Sequence, residues 1–193
     1  MQQLDKDFEP LENKEEYHKL AKIVYKEVRR MNETVVNFLR FSKPEPIVKN
    51  KFKLSELINS IETQYKSLLK EKSIELIIKQ EWDGEVNWDN DKIKQVIVNL
   101  IQNSIEAMEN GGEIKIKIFN NKSSIVIEVS DTGNGISTEN IQRIFNLYYT
   151  TKATGTGIGL GIIQRIVNEH DGIVTVKSEV NNGTLFIITI PQN

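Results

Sequence analysis

Three polar segments follow one another between residues 99 and 161: Asn99-Leu-Ile-Gln-Asn103, Asp131-Thr-Gly-Asn-Gly-Ile136 and Gly155-Thr-Gly-Ile-Gly-Leu-Gly161. The first lies in a predicted helix from Asn90 to about Glu109, where a spacing of four residues places Asn99 and Asn103 on one face. A neutral amide oxygen is a hard ligand that suits Mg²⁺, an ion that commonly bridges phosphates. Solvated asparagines on an ordinary helix would give the same pattern.

The second segment directly follows a predicted strand at 124–130. A carboxylate at the end of a strand, followed by Gly133 and Gly135, lets the backbone approach a flat ligand closely. A buried Asp131 can accept a hydrogen bond from an exocyclic amine such as adenine N6, at about 1.5–3 kcal/mol. An ordinary Asp-Gly turn is the alternative interpretation.

The third segment opens a predicted helix at 158–170. Backbone N–H groups at a helix start, with no Cβ in the way, form an anion site. Lys152, just upstream, is a candidate phosphate contact. The segment is not a Walker A loop, because no Gly-Lys-Ser/Thr follows the glycines, and it is not a dinucleotide fingerprint, because no strand precedes it.

Around these segments, helical and strand patterns alternate irregularly. Strands are predicted at 73–79, 85–88, 113–119, 124–130, 172–177 and 184–190, and helices at 55–70, 90–109, 138–146 and 158–170. With about five strands and three principal helices, we predict an α+β fold, a two-layer sandwich.

The N-terminal part carries a different pattern. Apolar residues recur at spacings of four and three, which predicts one long helix over 14–41: Tyr17, Ala21, Val24, Val28, Met31, Val35 and Phe38. So wide an apolar stripe needs packing partners. Ser42-Lys-Pro-Glu-Pro46 ends the helix. We therefore expect an N-terminal segment at 1–46 and a separate domain at 51–193.

Composition excludes several classes of function. The 193 residues carry 25 basic and 27 acidic side chains, and this balance argues against nucleic-acid binding. Without cysteine there is no thiol nucleophile and no zinc-thiolate site. Neither a membrane-spanning run of roughly 18–20 apolar residues nor a secretory signal is present, so we expect a cytoplasmic protein.

The order of the motifs resembles the ATP-binding domain of sensor histidine kinases. The asparagine pair, the Asp-x-Gly-x-Gly segment, the aromatic stretch from Phe145 to Tyr149 and the Gly-x-Gly-x-Gly segment are similar to that family's N, G1, F and G2 boxes. The resemblance covers 51–193 and implies the Bergerat, or GHKL, fold with a mixed sheet. Residues 14–46 look like the second helix of the family's dimerisation and phosphoacceptor hairpin.

This resemblance implies roles for the matching residues. Asn103 would hold Mg²⁺ with help from Asn99, Asp131 would bind adenine with support from Thr184, and residues 146–156 would form a lid that the triphosphate orders. The implied catalytic residues are Asn99, Asn103 and Lys152. The implied nucleotide-binding residues are Asn103, Asp131, Gly133, Gly135, Ile136, Tyr149, Thr151, Lys152, Gly155, Thr156, Gly157, Gly159, Leu160 and Thr184.

Two positions depart from relatives within the superfamily. Related gyrase, chaperone and mismatch-repair ATPases carry a glutamate where this chain has Asn99, and a neutral amide cannot take a proton from water. The sequence therefore favours transfer of phosphate from ATP to an outside nucleophile. Histidine kinases often carry a lysine where this chain has Glu106, so we assign the basic phosphate contact to Lys152.

Neither histidine has the sequence context of a phosphoacceptor. His18 lacks the acidic residue and the proline that accompany the family's acceptor, and His170 sits at a helix C-terminus, where a partly cationic ring favours the dipole. We therefore expect the acceptor helix to be absent from the chain and to come from another segment or a second protomer. A response regulator and a homodimer formed through helix 14–41 are further expected partners.

Three alternative functions stay open at this point. A nucleotide-binding regulatory module would bind ATP without transferring phosphate. A conformational ATPase and a serine-directed kinase of the same superfamily would share the same motifs.

Overall fold

The computed structural model describes residues 13–42, 46–152 and 155–192. The chain separates into two compact units between Glu45 and Pro46. The first contains helix α1 (Lys14–Ser42), as predicted. Among the described residues of its apolar stripe, Val24, Val28 and Met31 are more than half accessible to solvent, as are Leu20 and Ile23 beside them, whereas Tyr17 and Ala21 are half-buried. Across the parts of the chain that the structure describes, no helix is long and apolar enough to cross a membrane.

The second unit is built on a mixed five-stranded sheet. Its strands are β2 (Ile74–Gln80), β4 (Gly112–Asn121), β5 (Ser124–Asp131), β6 (Ile173–Ser178) and β7 (Thr184–Pro191). They lie in the order β2-β4-β5-β7-β6, with β2 and β4 parallel and the other neighbours antiparallel. The predicted α+β sandwich with a mixed sheet is confirmed.

Alternation along the strands selects the buried face of this sheet. In β4, Ile114, Ile116 and Ile118 are buried, whereas Lys115 and Lys117 point to the other, wetter face. Three helices supply the second layer of the core: α2 (Leu54–Glu71), α3 (Asn90–Glu106) and α5 (Gly159–Glu169).

Some details of the fold differ from the expectations. Strand β3 (Glu85–Trp88) does not join the main sheet; it pairs antiparallel with β1 (Asn50–Lys53), a strand that the sequence did not predict. Only Phe52 is buried in β1, so its four residues show no alternation. The helix predicted at 138–146 is a single turn, α4 (Thr138–Ile141), after which the bonds from Arg143 N–H to Asn140 and from Asn146 N–H to Arg143 span three residues.

Asp89 fixes the start of α3. Its carboxylate accepts from Lys92 N–H at 3.1 Å, as an N-cap does, and from Val48 N–H at 2.8 Å. Its own N–H donates to His170 Nε2 at 3.0 Å, and His170 Nδ1 lies 2.7 Å from the Ile166 carbonyl. Since Nε2 accepts, the proton is on Nδ1 and the ring is neutral. His170 is thus a buried structural residue, and the expectation of a partly cationic ring was wrong.

Candidate functional site

Helix α3 positions the asparagine pair. Its buried stripe consists of Ile93, Val96, Ile97, Leu100, Ile101 and Ser104. Asn99 and Asn103 lie beside this stripe and are half-buried, so both amides stand at the rim of the core. The spacing of four residues thus places them as the sequence predicted, on one face of the helix.

Asp131 lies at the end of β5 and faces the helical layer. Strand periodicity sets this direction, because Ile125, Ile127 and Val129 on the same face are buried. The Asp131 Oδ2 atom accepts from Ser104 Oγ at 3.0 Å, and Oδ1 accepts from Gly133 N–H at 2.9 Å. The carboxylate therefore points under α3 in a fixed orientation.

The electrostatic environment of Asp131 is unusual for a carboxylate. Burial raises the pKa of Asp131 above its ordinary value, and hydrogen bonds from Gly133, Ser104 and the backbone of Thr184, together with the charge of Lys152, partly oppose that rise. These donors leave acceptor capacity on the two oxygens. An amine donor of a ligand can use this remaining capacity.

Thr184 pairs with Asp131 in the β5–β7 register. Its hydroxyl, however, lies 2.9 Å from Ser178 Oγ, so its contact with Asp131 is through the backbone. Ser178 Oγ also accepts from Ile136 N–H at 2.8 Å. Ser178 therefore anchors the loop after Asp131, a role that sequence reasoning did not assign.

The two glycines of this loop are required for packing. A Cβ at Gly133 would come within 2.7 Å of Ala107. Gly135 has a φ of +66°, and a Cβ there would lie 1.9 Å from the Glu179 carbonyl oxygen. Other parts of the protein, and not a ligand, therefore approach these two glycines closely. Their small size lets the loop pack beside α3.

Gly159 stands apart from the other glycines. A Cβ at Gly157 would collide with Tyr148, and one at Gly155 would meet Thr150, but a Cβ at Gly159 would have no atom within 4 Å. Gly159 is also the first residue of α5, whose N-terminus has no side-chain cap. The start of α5 therefore combines open space with N–H groups suited to an anion.

Lys152 reaches the asparagine helix. Its Nζ lies 2.5 Å from Glu106 Oε2 and 3.5 Å from Asn103 Oδ1. Residues 153–154 of the predicted lid lie outside the described part of the chain. The Tyr149 hydroxyl donates to Asn140 at 2.6 Å and its ring stacks under Arg143, which ties the segment before Lys152 to α4.

The structure thus groups the predicted residues around two centres. Asp131, Gly133 and Thr184 form one, and Asn103 with Lys152 forms the other, joined through α3. Thr151 is exposed, and Ile136, Thr156 and Leu160 are half-buried. A cavity of about 370 Å³ opens beside Asp131 and Thr184 toward the β6–β7 turn.

Ser104 is a site residue that sequence reasoning missed. Its position continues the buried stripe of α3, because it lies four residues after Leu100 and three after Ile101. A hydroxyl at the end of an otherwise apolar helical face was the signal that could have identified it, because buried polar groups are hydrogen-bonded.

Comparison with protein families gives one match in this region. The model of the family described as Histidine kinase-, DNA gyrase B-, and HSP90-like ATPase matches residues 88–193. This range contains all three polar segments.

Two curated relatives illustrate the similarity. Sporulation kinase C of Bacillus subtilis (strain 168) is 34% identical over 171 residues, which are 88% of this chain and 40% of the relative. Sensor histidine kinase ZraS of Escherichia coli (strain K12) is 32% identical over 179 residues, 92% of this chain and 38% of the relative. The chain therefore spans about two fifths of the length of these relatives.

Solved structures give the same result. The catalytic domain of histidine kinase ThkA is 34% identical and superimposes with a TM-score of 0.69, covering 75% of this chain and 96% of that one. The structure of ThkA in complex with response regulator protein TrrA has a TM-score of 0.80 at 28% identity, covering 100% of this chain and 55% of that one.

Proposed function

The chain belongs to the histidine kinase-, DNA gyrase B- and HSP90-like ATPase family, and we propose that its second unit binds Mg·ATP and transfers the γ-phosphate to a histidine side chain. The observation that carries this proposal is the Asp131 carboxylate, which is partly withdrawn from water and held by Ser104, Gly133 and Thr184. In this role Asp131 accepts from the amine of adenine.

The phosphates extend from Asp131 toward Lys152 and the start of α5. The open space at Gly159 and the uncapped N–H groups that follow it support a phosphate site there. Lys152 supplies a positive charge for the same phosphates, beside Asn103. The nucleotide-binding set is the one that the resemblance implied, from Asn103 to Thr184.

Asn103 would hold Mg²⁺, and Asn99 would assist it. The residues fit this ion: the amide of Asn103 is a hard oxygen donor, and its oxygen already faces a cationic group, the Lys152 ammonium, at 3.5 Å. No cluster of three or more His, Cys, Asp or Glu side chains occurs among the described residues. That suits an ion that binds one or two protein oxygens and takes its other ligands from phosphates and water. Bound there, Mg²⁺ would neutralise charge on the phosphates.

Asn99 favours transfer over hydrolysis. Its neutral amide, half-buried on α3, cannot serve as a general base for water. The protein's contribution to phosphoryl transfer is mainly to position the reactants and to stabilise charge. The incoming nucleophile would thus come from outside the unit, on a histidine-bearing hairpin.

The expected partners follow from this assignment. The exposed apolar stripe of α1 supports pairing with the helices of a dimerisation hairpin, including those of a second copy of the chain. ThkA has been solved with a response regulator protein. By analogy, we infer that phosphate passes from the hairpin histidine to a response regulator.

Replacement of Asn103 tests this function. Asn103→Ala should abolish the Mg²⁺-dependent part of ATP binding and any phosphate transfer, because it removes the amide oxygen assigned to Mg²⁺ and leaves only the assisting Asn99. Isothermal titration with ATP, with and without Mg²⁺, measures the effect. Asn121→Ala is the control, because Asn121 ends β4 and pairs with Ser124, at the opposite end of β5 from Asp131. Unchanged Mg·ATP binding and transfer in Asn103→Ala would refute the role of Asn103.

A further inference from the structure

An exposed ion pair lies next to the proposed metal ligand. Lys152 Nζ is 2.5 Å from Glu106 Oε2 and 3.5 Å from Asn103 Oδ1, so Glu106 is the closer partner. Lys152 and Glu106 are far from each other in the sequence, and Glu106 is the last residue of α3. The pair therefore links the end of the asparagine helix to the segment that precedes the glycines.

The pair is suited to being broken. The side chains of Lys152 and Glu106 are 39% and 58% exposed, so water and salt screen their attraction. A triphosphate offers several negative charges and strong acceptor oxygens to the same ammonium. A single exposed carboxylate competes poorly with that group.

The position of the Lys152 ammonium affects both proposed ligand sites. It lies within reach of the Asn103 oxygen, the atom that we assign to Mg²⁺. The positive charge of Lys152 also acts on Asp131, where it opposes the rise in the pKa that burial causes. While Lys152 pairs with Glu106, it therefore obstructs the metal position and is withheld from the phosphates.

We propose that Glu106 is a positioning residue that holds the Lys152 ammonium beside Asn103 in the nucleotide-free protein, and that nucleotide phosphates displace Glu106 as the partner of Lys152. This inference rests on the proposed function. Glu106 touches neither substrate nor metal in this role and acts through Lys152 alone.

The first experiment uses the full chain without nucleotide. The rate at which acetic anhydride acetylates Lys152, measured by peptide mass spectrometry, should rise about threefold in Glu106→Gln. Only the neutral amine attacks the anhydride, and the carboxylate that holds Nζ as the paired ammonium is gone. Glu106→Asp, which keeps the charge, should retain most of the protection. Glu109→Gln, an exposed neighbour just after α3, is the matched control and should react like wild type. An equal rate in Glu106→Gln and wild type would overturn the proposal.

The second experiment measures Mg·ATP binding in a double-mutant cycle. Glu106→Gln should tighten binding about threefold to tenfold, since the phosphates no longer compete with the carboxylate. In a Lys152→Ala background the same change should have less than about a twofold effect. An equally large effect in that background would mean that Glu106 repels the phosphates directly, which would overturn its action through Lys152.

The two experiments separate two kinds of failure. If wild type binds no ATP, the proposed function fails, and the acetylation rates still show whether Glu106 holds Lys152. If ATP binds but acetylation is insensitive to Glu106, the positioning role fails alone.

Discussion

At the scale of single residues, Asp131 combines a proposed binding role with a cost in stability. Its carboxylate is drawn under α3 by Ser104 and Gly133, and burial raises its pKa. A buried charge of this kind is retained where a ligand uses it. The proposed nucleotide site therefore contains a carboxyl group whose pKa is raised by burial.

Asp131→Asn should weaken ATP binding by roughly 10–100-fold, because the acceptor for the adenine amine loses its charge. The same change should raise the free energy of unfolding at neutral pH, because it removes the cost of burying an ionised carboxylate. Titration calorimetry and urea denaturation measure the two effects. Unchanged affinity for ATP would remove Asp131 from the adenine site.

The raised pKa of Asp131 also determines how the free energy of unfolding changes with pH. The folded unit holds the Asp131 proton more tightly than the unfolded chain, whose pKa is near 3.8. The free energy of unfolding contributed by Asp131 is therefore highest in acid and falls as pH rises from that value through the raised pKa. Asp131→Asn should lack this fall, and equal pH slopes for the two proteins would contradict the buried charge.

Sequence reasoning identified Asp131 because a carboxylate between a strand and two glycines forms a recognisable pattern. It did not identify Ser104 or Ser178. The position of Ser104 in the buried stripe of α3 was visible in the sequence, but the partner of its hydroxyl was not, and Ser178 carries no comparable signal. Their roles depend on which strand ends and turns meet, which is a property of the sheet order β4-β5-β7-β6. The ion pair between Glu106 and Lys152 could not be predicted either, because the fold brings these two residues together and neither local sequence indicates it.

At the scale of elements, the start of α5 contains Gly159, a glycine that packing does not require and that we propose for phosphate binding, whereas other glycines are needed by the fold. Gly159→Ala should leave stability unchanged or slightly higher, because its Cβ would meet nothing. ATP binding should weaken by about tenfold, because the added Cβ would fill the space beside the helix N-terminus and keep a phosphate from one of its N–H groups, at a cost of roughly one charge-assisted hydrogen bond. Thermal unfolding and titration with Mg·ATP measure the two quantities.

Gly135→Ala is the comparison for that variant. Gly135 has a positive φ and its Cβ would collide with the Glu179 carbonyl, so the change should lower stability by more than about 1 kcal/mol. If Gly159→Ala were equally destabilising, or bound ATP like wild type, the phosphate site at α5 would be misplaced.

The start of α3 depends on Asp89. Asp89→Ala removes the N-cap bond to Lys92 and the bond from Val48, and should lower the free energy of unfolding by about 2 kcal/mol. Urea denaturation of the full chain measures it, with Asp91→Ala, an exposed acidic residue in the first turn, as the control. Equal stability of the two variants would show that the cap contributes nothing specific.

The helices and strands with a strong hydrophobic periodicity were predicted correctly, and those without one were not. The alternation of Ile and Lys in β4 and the buried stripe of α3 were visible in the sequence and are confirmed. Strand β1 escaped because four residues with one buried side chain show no period, and the helix at 138–146 was overestimated because its apolar residues continue in tight turns.

At the scale of the whole molecule, two kinds of surface stand out. The second unit has a single continuous core and a site at one end of its sheet. Helix α1, in the first unit, exposes large apolar side chains such as Val24, Val28 and Met31. An apolar helical face of this kind needs a partner helix, and we propose that a hairpin with its phosphoacceptor histidine would supply one.

Transfer of phosphate is the most direct test of the account. The full chain is incubated with γ-labelled Mg·ATP and a histidine-bearing dimerisation hairpin from a related kinase, and label on the hairpin is assayed for the acid lability of phosphohistidine. We expect acid-labile label on the hairpin histidine, and none with Asn103→Ala or with a hairpin whose histidine is replaced. Tight ATP binding without label would contradict the transfer function, and steady release of free phosphate without any acceptor would indicate an ATPase instead.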